Sequence, residues 1–320
     1  MKNLIYLLLL SMTIPSCKKE EARQVNQYTI EQFYTNTRFE GGTFSADETR
    51  LLVGSDETGI FNLYEITLAD GAKKQLTTST VESYYPVDYV PGMSALIYSA
   101  DKGGNEIDHL YLLEDNGKTT DLTPGENNKV SFFKWSEDKK SMFYISNIRD
   151  PKYFDVYKMN IGEWIPTLFY ENKSGLDVNE ISDDEKTLVV SKTVTTSENE
   201  LYLVNRETDT QTELSLPDQK GRYGVSGISK DSKYVFYLTD GGKEFTYLVQ
   251  YDMNSGERKV LYETTWDVMY TFLSEKETYR VIAINEDGKN TIIMQDAASG
   301  KTIDFPAMPD GDILGVEISD

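Results

Sequence analysis

The stretch Ser136-Glu-Asp138, followed by the apolar run Met142-Phe-Tyr-Ile145, is one copy of a pattern that decides the fold. From Ser136 onward the serines of this pattern are 46, 47, 45 and 45 residues apart. The 91 residues between Ser45 and Ser136 hold two units, because Val90-Pro-Gly92 fills the turn between them. A period of this length is typical of a repeat architecture whose units stack on their neighbours. The other copies are Ser45-Ala-Asp47, Ser182-Asp-Asp184 and Ser229-Lys-Asp231, with weaker ones at Ser274-Glu-Lys276 and Ser319-Asp320.

Each unit has the same order of predicted strands. A short apolar strand leads into the Ser-x-Asp turn, where both side chains can hydrogen-bond nearby backbone amides. A second strand rich in β-branched and aromatic residues follows, then a third built on an aliphatic–Tyr pair such as Leu110-Tyr111. A turn containing Gly or Asn opens the fourth strand. Four short antiparallel strands at this period predict a propeller blade. A stacked β-solenoid is the alternative, but its coils repeat at roughly half this length.

The sequence therefore predicts an all-β propeller domain over residues 39–320. Alternation along the strands indicates which side chains face the neighbouring blades. The six predicted blades are 39–79, 84–125, 130–172, 177–217, 223–263 and 268–308. The predicted core residues are Leu52, Tyr64, Ile97, Tyr111, Phe143, Tyr157, Val189, Tyr202, Phe236 and Ile282.

The last residues, Ile313-Leu-Gly-Val-Glu-Ile-Ser-Asp320, match the first strand of a blade and the start of its turn. Two interpretations are open. Either six blades close the ring and this strand is a spare, or the sequence is cut at the opening of a seventh blade. A propeller normally brings its first and last blades together, because an open strand edge invites association. We favour truncation, and expect about six four-stranded blades plus the first strand of a seventh.

Residues 1–17 have the features of a signal peptide. Lys2 gives the positive start, and the apolar run from Leu4 to Leu10 is too short to span a bilayer. Cys17, the only cysteine, follows Ile14-Pro-Ser and resembles the lipobox cysteine of bacterial lipoproteins. We expect lipidation at Cys17 and a lipid anchor at the bacterial cell envelope, in the outer membrane or at the cell surface. Ordinary cleavage with an incidental cysteine is the alternative.

Residues 18–38 are predicted to be a tether and lead-in, with Tyr28–Tyr34 as an edge strand or a short helix. Lys18-Lys-Glu-Glu21 is similar to the export tags of Bacteroidetes surface lipoproteins. The formal net charge of −21 repels nucleic acid and anionic lipid. We therefore expect no nucleic-acid partner, and membrane contact only through the lipid on Cys17.

Residues for catalysis are scarce. The chain has one histidine, His109, which precedes a strand core and is interpreted as structural. A serine hydrolase needs Gly-x-Ser-x-Gly and a histidine base. The nearest stretch, Gly224-Val-Ser-Gly-Ile228, lacks the last glycine. No metal-binding spacing of histidine, cysteine or aspartate is present. We predict no catalytic, metal-binding or cofactor-binding residue and no cofactor.

Two phrases are specific enough to suggest a family: Gly103-Gly-Asn-Glu-Ile-Asp-His-Leu-Tyr111 and Asn147-Ile-Arg-Asp-Pro151. From about residue 28 onward the chain resembles the N-terminal β-propeller of bacterial, Bacteroidetes-like, prolyl oligopeptidase-family serine peptidases. Its Leu-Tyr and Leu-Thr repeats are also similar to TolB-type propellers. The resemblance implies a seven- or eight-bladed propeller that caps an α/β-hydrolase domain and restricts access to peptides or small proteins. The hydrolase half is absent from this sequence, so no catalytic residue is carried over.

Two functions remain open. The first is the substrate-gating propeller of a serine peptidase, which would meet a peptide or small protein at its mouth. The alternative is a stand-alone TolB-like lipoprotein that binds a protein or glycan. Whether the protein is an enzyme stays undecided, because this chain supplies no catalytic machinery.

Overall fold

The computed structural model describes residues 25–304, 308 and 311–318 of the chain. Cys17, Ser319 and Asp320 lie outside the described residues. Residues before Arg38 form a unit of their own, in which helix α1 spans Ile30–Tyr34. Thr29 and Gln32 form a capping box: the Thr29 hydroxyl accepts from the Gln32 amide at 3.3 Å, and the Gln32 side chain accepts from the Thr29 amide at 2.8 Å. Of the two forms expected for this stretch, the helix is the one present.

From Arg38 onward the chain folds into six sheets of four antiparallel strands, each paired in chain order. This is the predicted propeller of six four-stranded blades. Blades one to three contain β1 (Phe39–Phe44), β2 (Arg50–Ser55), β3 (Asn62–Thr67), β4 (Lys73–Gln75); β5 (Tyr85–Tyr89), β6 (Ala95–Ala100), β7 (His109–Glu114), β8 (Thr119–Asp121); β9 (Val130–Trp135), β10 (Ser141–Asp150), β11 (Tyr153–Asn160) and β12 (Pro166–Tyr170). Blades four to six contain β13 (Asp177–Ile181), β14 (Thr187–Thr195), β15 (Glu198–Asn205), β16 (Thr210–Glu213); β17 (Tyr223–Ile228), β18 (Tyr234–Thr239), β19 (Tyr247–Asp252), β20 (Arg258–Tyr262); β21 (Asp267–Leu273), β22 (Tyr279–Glu286), β23 (Lys289–Asp296) and β24 (Thr302–Ile303).

The Ser-x-Asp side chains fix the turn between the first and second strands of a blade. In blade three the Ser136 hydroxyl donates to Asp138 Oδ1 at 2.7 Å and accepts from the Ser141 amide at 3.0 Å. Asp138 Oδ1 also accepts from the Lys140 amide at 3.1 Å. The next residue after the aspartate, Lys139, has a positive φ of 55°, which lets the chain reverse tightly. Blades four and five repeat these hydrogen bonds, so the expected turn chemistry is present.

Buried apolar side chains pack each blade onto the next. Among the described residues, five apolar clusters join consecutive blades, from one to two through five to six. Ile97 of blade two and Met142 of blade three, for example, are fully buried in the same cluster. Blades two to five therefore bury both of their faces against neighbours, which is the physical reason for the repeat.

All the predicted core residues lie in second and third strands, and the prediction is correct for the second strands and wrong in part for the third. Tyr111, Tyr157 and Tyr202 are only half-buried. Their rings pack but their hydroxyls reach polar surroundings, as an amphipathic side chain allows. Tyr111 stacks on Tyr98 with ring centroids 5.2 Å apart, and the Tyr202 hydroxyl donates to Glu200 at 2.6 Å. The other predicted core residues are buried: Leu52, Tyr64, Ile97, Phe143, Val189, Phe236 and Ile282.

A cleft of about 730 Å³ separates blade six from blade one, and residues 311–318 run along it without forming a regular strand. Asp312 Oδ1 accepts from the Asn290 amide at 2.9 Å. Asp267, which opens the first strand of blade six, accepts in the same way from Thr246 of blade five at 3.0 Å. The segment therefore takes the place of a blade's first strand. It lacks the hydrogen-bond ladder that a second strand provides.

Candidate functional site: the central channel

The first strands of the blades surround the propeller axis and contact one another through polar side chains. Thr43 Oγ1 donates to Asp88 Oδ1 at 2.7 Å, and Trp135 Nε1 donates to Asp88 Oδ2 at 2.8 Å. Asp88 thus ties together the first strands of blades one, two and three. Lys134 Nζ donates to Glu180 Oε1 at 3.1 Å and ties blade three to blade four.

A bulge in every first strand helps to place these side chains. The pairing of each first strand with its second strand shifts by one residue near the middle. A bulge bends the strand and redirects the residue that follows it. The residues that follow directly are Thr43, Asp88, Lys134 and Glu180 in blades one to four. These are the side chains that bridge neighbouring blades.

Lys134 stays charged although it is partly buried in the channel wall. Its ammonium group donates to Glu180 Oε1 and Asp183 Oδ1, each at 3.1 Å. Burial by itself lowers the pKa of Lys134, but the two carboxylates outweigh burial and hold the pKa above its usual value. The single positive charge of Lys134 is thus paired with two carboxylates, so these three side chains together carry a net negative charge.

The channel has two ends. The Ser-x-Asp turns, which join first and second strands, form what we call the turn end. The loops between second and third strands form the loop end. Because the strands of a blade are antiparallel, these two sets of connections lie at opposite ends of the channel.

Ion pairs between Ser-x-Asp turns cross the axis at the turn end. Lys139 Nζ of blade three lies 2.9 Å from Glu275 Oε1 of blade six. Lys230 Nζ of blade five lies 3.4 Å from Glu137 Oε1 of blade three. The Lys230 amide also donates to Glu277 Oε1 of blade six at 2.8 Å. The turns of three blades therefore meet over the axis and narrow this end.

A cavity of about 310 Å³ lies inside the turn end and includes Ser226 in its wall. Ser226 belongs to the stretch 224–228 that came nearest to a hydrolase motif. The only histidine, His109, is in blade two, and both its ring nitrogens are engaged: Nδ1 lies 2.8 Å from Asp121 Oδ2, and Nε2 lies 3.0 Å from the Gly125 carbonyl oxygen. No serine–histidine pair forms among the described residues, and His109 has the contacts of a structural side chain.

At the loop end, a second cleft of about 460 Å³ lies between the first strands of blades two and three. One acidic residue, Asp108, contributes to its wall. The walls consist of Tyr85, Val87, Ser99, Asp108, Leu110, Val130, Ser131 and Phe132.

No group of three or more His, Cys, Asp or Glu side chains in residues 25–304, 308 and 311–318 is arranged to hold a metal ion. In the same residues, no helix is long and apolar enough to cross a membrane. The predicted lipidation site, Cys17, lies in the part of the chain that the structure does not describe.

Neither the cross-axis ion pairs nor the loop-end cleft was predicted from the sequence. The middle residue of the Ser-x-Asp phrase changes sign along the chain, from Glu137 and Asp183 to Lys230 and then Glu275. In the Lys230–Glu137 pair both residues occupy this middle position, so the change of sign was the one signal in the sequence for such pairing.

The fold and the channel define this protein as a β-propeller of the repeat class. The family model described as "Prolyl oligopeptidase, N-terminal beta-propeller domain" matches residues 87–317, which is more than half of the chain. The chain belongs to this family, as the phrases in blades two and three predicted.

Individual proteins and solved structures are also similar to this chain. Dipeptidyl aminopeptidase BIII of Pseudoxanthomonas mexicana is 24% identical over 239 residues, which cover 72% of this chain and 34% of that protein. A solved prolyl endopeptidase structure matches with a TM-score of 0.65 and 16% identity, over 88% of this chain and 45% of that one. TolB from Acinetobacter baumannii matches with a TM-score of 0.48 and 14% identity, over 90% of this chain and 74% of that one. The chain spans about a third of the aminopeptidase and under half of the endopeptidase.

Proposed function

We propose that this propeller gates substrate access in a longer serine peptidase of the prolyl oligopeptidase family. The catalytic α/β-hydrolase domain would lie in the part of the relatives that this chain does not cover. The observation that carries the proposal is the family match over residues 87–317, in a chain that covers 34% of the related aminopeptidase and 45% of the endopeptidase.

The geometry of the channel supports a gating role. Ion pairs such as Lys139–Glu275 cross the turn end, while a cleft lies beside the axis at the loop end. We infer that the channel admits extended peptides and excludes folded proteins, which would make peptides the substrate class.

The chain by itself offers no activated nucleophile. Serine becomes nucleophilic when an adjacent base takes its proton. His109 is the only histidine of the sequence, and both its nitrogens face acceptors of blade two. We therefore expect the isolated 320-residue chain to hydrolyse no peptide or ester.

The test is the size and reactivity of the protein that its own cells make. An antibody against the propeller should detect a product well above 36.4 kDa, and a fluorophosphonate probe should label that product. Recombinant protein of residues 1–320 serves as the control and should not be labelled. A native product of the shorter size that resists the probe would contradict the proposal and leave the stand-alone TolB-like binding lipoprotein.

We further propose that the protein is held at the bacterial cell envelope by lipid on Cys17. The sequence of residues 1–17 supports this, and two acyl chains give stable anchoring where one is marginal. Radiolabelled palmitate should enter the parent protein and not the Cys17→Ser variant. Recovery of Cys17→Ser in the membrane fraction at the parent's level would refute the anchor.

A further inference from the structure

The cleft of about 460 Å³ at the loop end combines an uncommitted carboxylate with apolar and aromatic walls. Tyr85 begins the first strand of blade two, and Phe132 lies in the first strand of blade three. Both rings are held in place by neighbours. The Tyr85 ring lies 5.2 Å from the Phe61 ring, and Phe132 meets Trp135 edge-to-face at 5.3 Å. The cleft is therefore largely pre-formed.

Asp108 is the acidic residue of this cleft, and its carboxylate binds no other group in the described part of the chain. Its backbone oxygen accepts from the Val130 amide at 2.9 Å and ties blade two to blade three. No ion pair or side-chain hydrogen bond joins the Asp108 carboxylate to any residue that the structure describes, although the residue is half-buried. The carboxylate is therefore available to a positively charged group that enters the cleft.

The equivalent residue of blade four, Asn199, shows how a side chain at this place can join two blades. Asn199 of blade four stands at the corresponding place in its third strand. Its side-chain amide donates to the Tyr223 carbonyl oxygen at 2.9 Å and accepts from the Tyr223 amide at 2.7 Å. Asn199 therefore fastens blade four to blade five with its side chain. In blade two the backbone alone makes the link, which leaves the Asp108 side chain free for another partner.

The possible intrachain cation beside Asp108 is also committed elsewhere. His109 follows directly, but its nitrogens face Asp121 Oδ2 at 2.8 Å and the Gly125 carbonyl oxygen at 3.0 Å. Two further groups of the cleft, the Ser99 hydroxyl and the Tyr85 hydroxyl, have no hydrogen-bond partner within the described part of the chain. A ligand with several N–H donors would satisfy the carboxylate and a hydroxyl together.

We propose that the Asp108 cleft binds a primary ammonium group, with the Asp108 carboxylate as counter-ion and the Tyr85 and Phe132 rings flanking the attached carbon chain. An ammonium group donates three hydrogen bonds, is attracted to aromatic faces, and complements the acidic chain. The inference rests on the proposed function, since it concerns peptides that enter the channel. Their ammonium groups are lysine side chains and free amino termini.

Three short peptide amides separate these two sources in calorimetric titrations of the purified chain. N-acetyl-Gly-Lys-Gly-amide offers only the side-chain ammonium, and Gly-Gln-Gly-amide offers only the amino terminus. N-acetyl-Gly-Gln-Gly-amide offers neither. We expect one or both charged peptides to bind and the neutral one not to bind. Asp108→Asn should weaken binding about tenfold or more, because a charge-assisted hydrogen bond is roughly twice as strong as a neutral one.

Glu126→Gln is the matched control, because it removes one negative charge from an exposed residue in the link between blades two and three. It should leave binding unchanged. Phe132→Leu keeps the carboxylate and removes a ring, and should weaken binding as well. Equal binding of the neutral peptide, or of Asp108→Asn and the parent, would overturn the site. So would a lower melting temperature of Asp108→Asn, since it would reveal an intrachain partner.

The two proposals fail separately. If the propeller binds ammonium groups but the native product has no hydrolase domain, the proposed binding site is upheld and the proposed peptidase function is refuted. If the native product has a reactive hydrolase domain but the propeller binds none of the peptides, the gating proposal is upheld and the proposed ammonium site is refuted.

Discussion

Lys139 of blade three and Glu275 of blade six form an ion pair of 2.9 Å across the propeller axis. Blades four and five lie between them in the ring, so the pair is no part of a blade-to-blade interface. The two side chains are 47% and 69% exposed, and an exposed pair contributes about 0–1 kcal/mol to stability. The position of the pair therefore matters more than its energy: it lies over the channel.

Breaking this ion pair should open the turn end without unfolding the protein. We expect Lys139→Gln to speed the labelling of a thiol placed inside that end by Ser226→Cys, in a Cys17→Ser background. Added salt should speed labelling in the parent as well, because salt screens exposed charges. The measurement is the rate of reaction with a maleimide.

Lys118→Gln is the control for this experiment. It breaks the Lys118–Glu114 pair of 3.3 Å on the surface of blade two and should leave the labelling rate unchanged. If Lys139→Gln and Lys118→Gln label alike, the cross-axis pair does not limit access.

Leu201 reports on the packing of blade four against blade five. Its side chain is fully buried in the cluster that joins these blades. Leu201→Ala should lower the free energy of unfolding by about 2–5 kcal/mol, since it removes buried apolar surface and leaves a cavity. Leu168 of blade three is 47% exposed. Leu168→Ala should therefore change the free energy of unfolding by about 0.5 kcal/mol or less. Urea unfolding measures both; equal losses would show that the inter-blade cluster is not the core.

Arg149, in the Asn-x-Arg-Asp-Pro phrase, neutralises a fully buried carboxylate. Its guanidinium donates to Asp155 Oδ2 at 2.6 Å and Oδ1 at 2.9 Å, and the Asp155 side chain is 0% exposed. Arg149→Ala should destabilise the protein by about 3 kcal/mol, because the buried Asp155 carboxylate loses its counter-ion and, within the described part of the chain, keeps only the hydrogen bond from the Asn172 amide at 2.8 Å. Arg38→Ala, which breaks the more exposed pair with Asp56, should cost less than about 1 kcal/mol. A small loss for Arg149→Ala in urea unfolding would assign this phrase another role.

Asp47 should make folding depend on pH in the acid range. Hydrogen bonds from the Ser45 hydroxyl, and then from the Thr49 hydroxyl and amide, lower the pKa of Asp47 to about 2. Since the pKa is lower in the folded state, the folded state binds fewer protons. The stabilisation is therefore complete above the unfolded value of about 4 and is lost as pH falls through about 2.

Asp47→Asn should flatten the loss of stability between about pH 5 and about pH 2 in urea unfolding. Asp115→Asn, at an exposed residue of blade two with no side-chain hydrogen bond in the described part, should keep the parent's slope. An unchanged slope for Asp47→Asn would show that the turn carboxylate is not linked to folding.

Most of the fold could be predicted because its determinants are local. The Ser136–Asp138 turn is held by bonds within five residues, and Val90 replaces the serine in blade two while keeping the same backbone bond, from its amide to the Ala95 carbonyl oxygen at 2.9 Å. The channel could not be predicted in this way. Lys139 meets Glu275 only once four blades have set the curvature of the ring, and the freedom of the Asp108 carboxylate follows from bonds that its backbone makes.

Arg280 is a charged residue at a place where other blades have an apolar side chain. Its replacement should test what this charge costs in stability. It pairs with Leu273, as Leu188 pairs with Ile181 and Met142 with Trp135 in other blades.

Arg280 is only 6% exposed and lies over the Phe236 ring at 4.5 Å, and burial lowers its pKa to about 10. No ion pair or hydrogen bond joins its guanidinium to a residue that the structure describes. Replacing a buried charge by an apolar side chain of similar volume is often neutral or stabilising, by about 1–4 kcal/mol. The cation–π contact with Phe236 offsets part of this gain, so we expect Arg280→Leu to raise the free energy of unfolding by about 1 kcal/mol. Arg280→Lys keeps the charge without the planar group and should lower it. Urea unfolding decides: a clear loss in Arg280→Leu would mean that the guanidinium holds blade six to blade five.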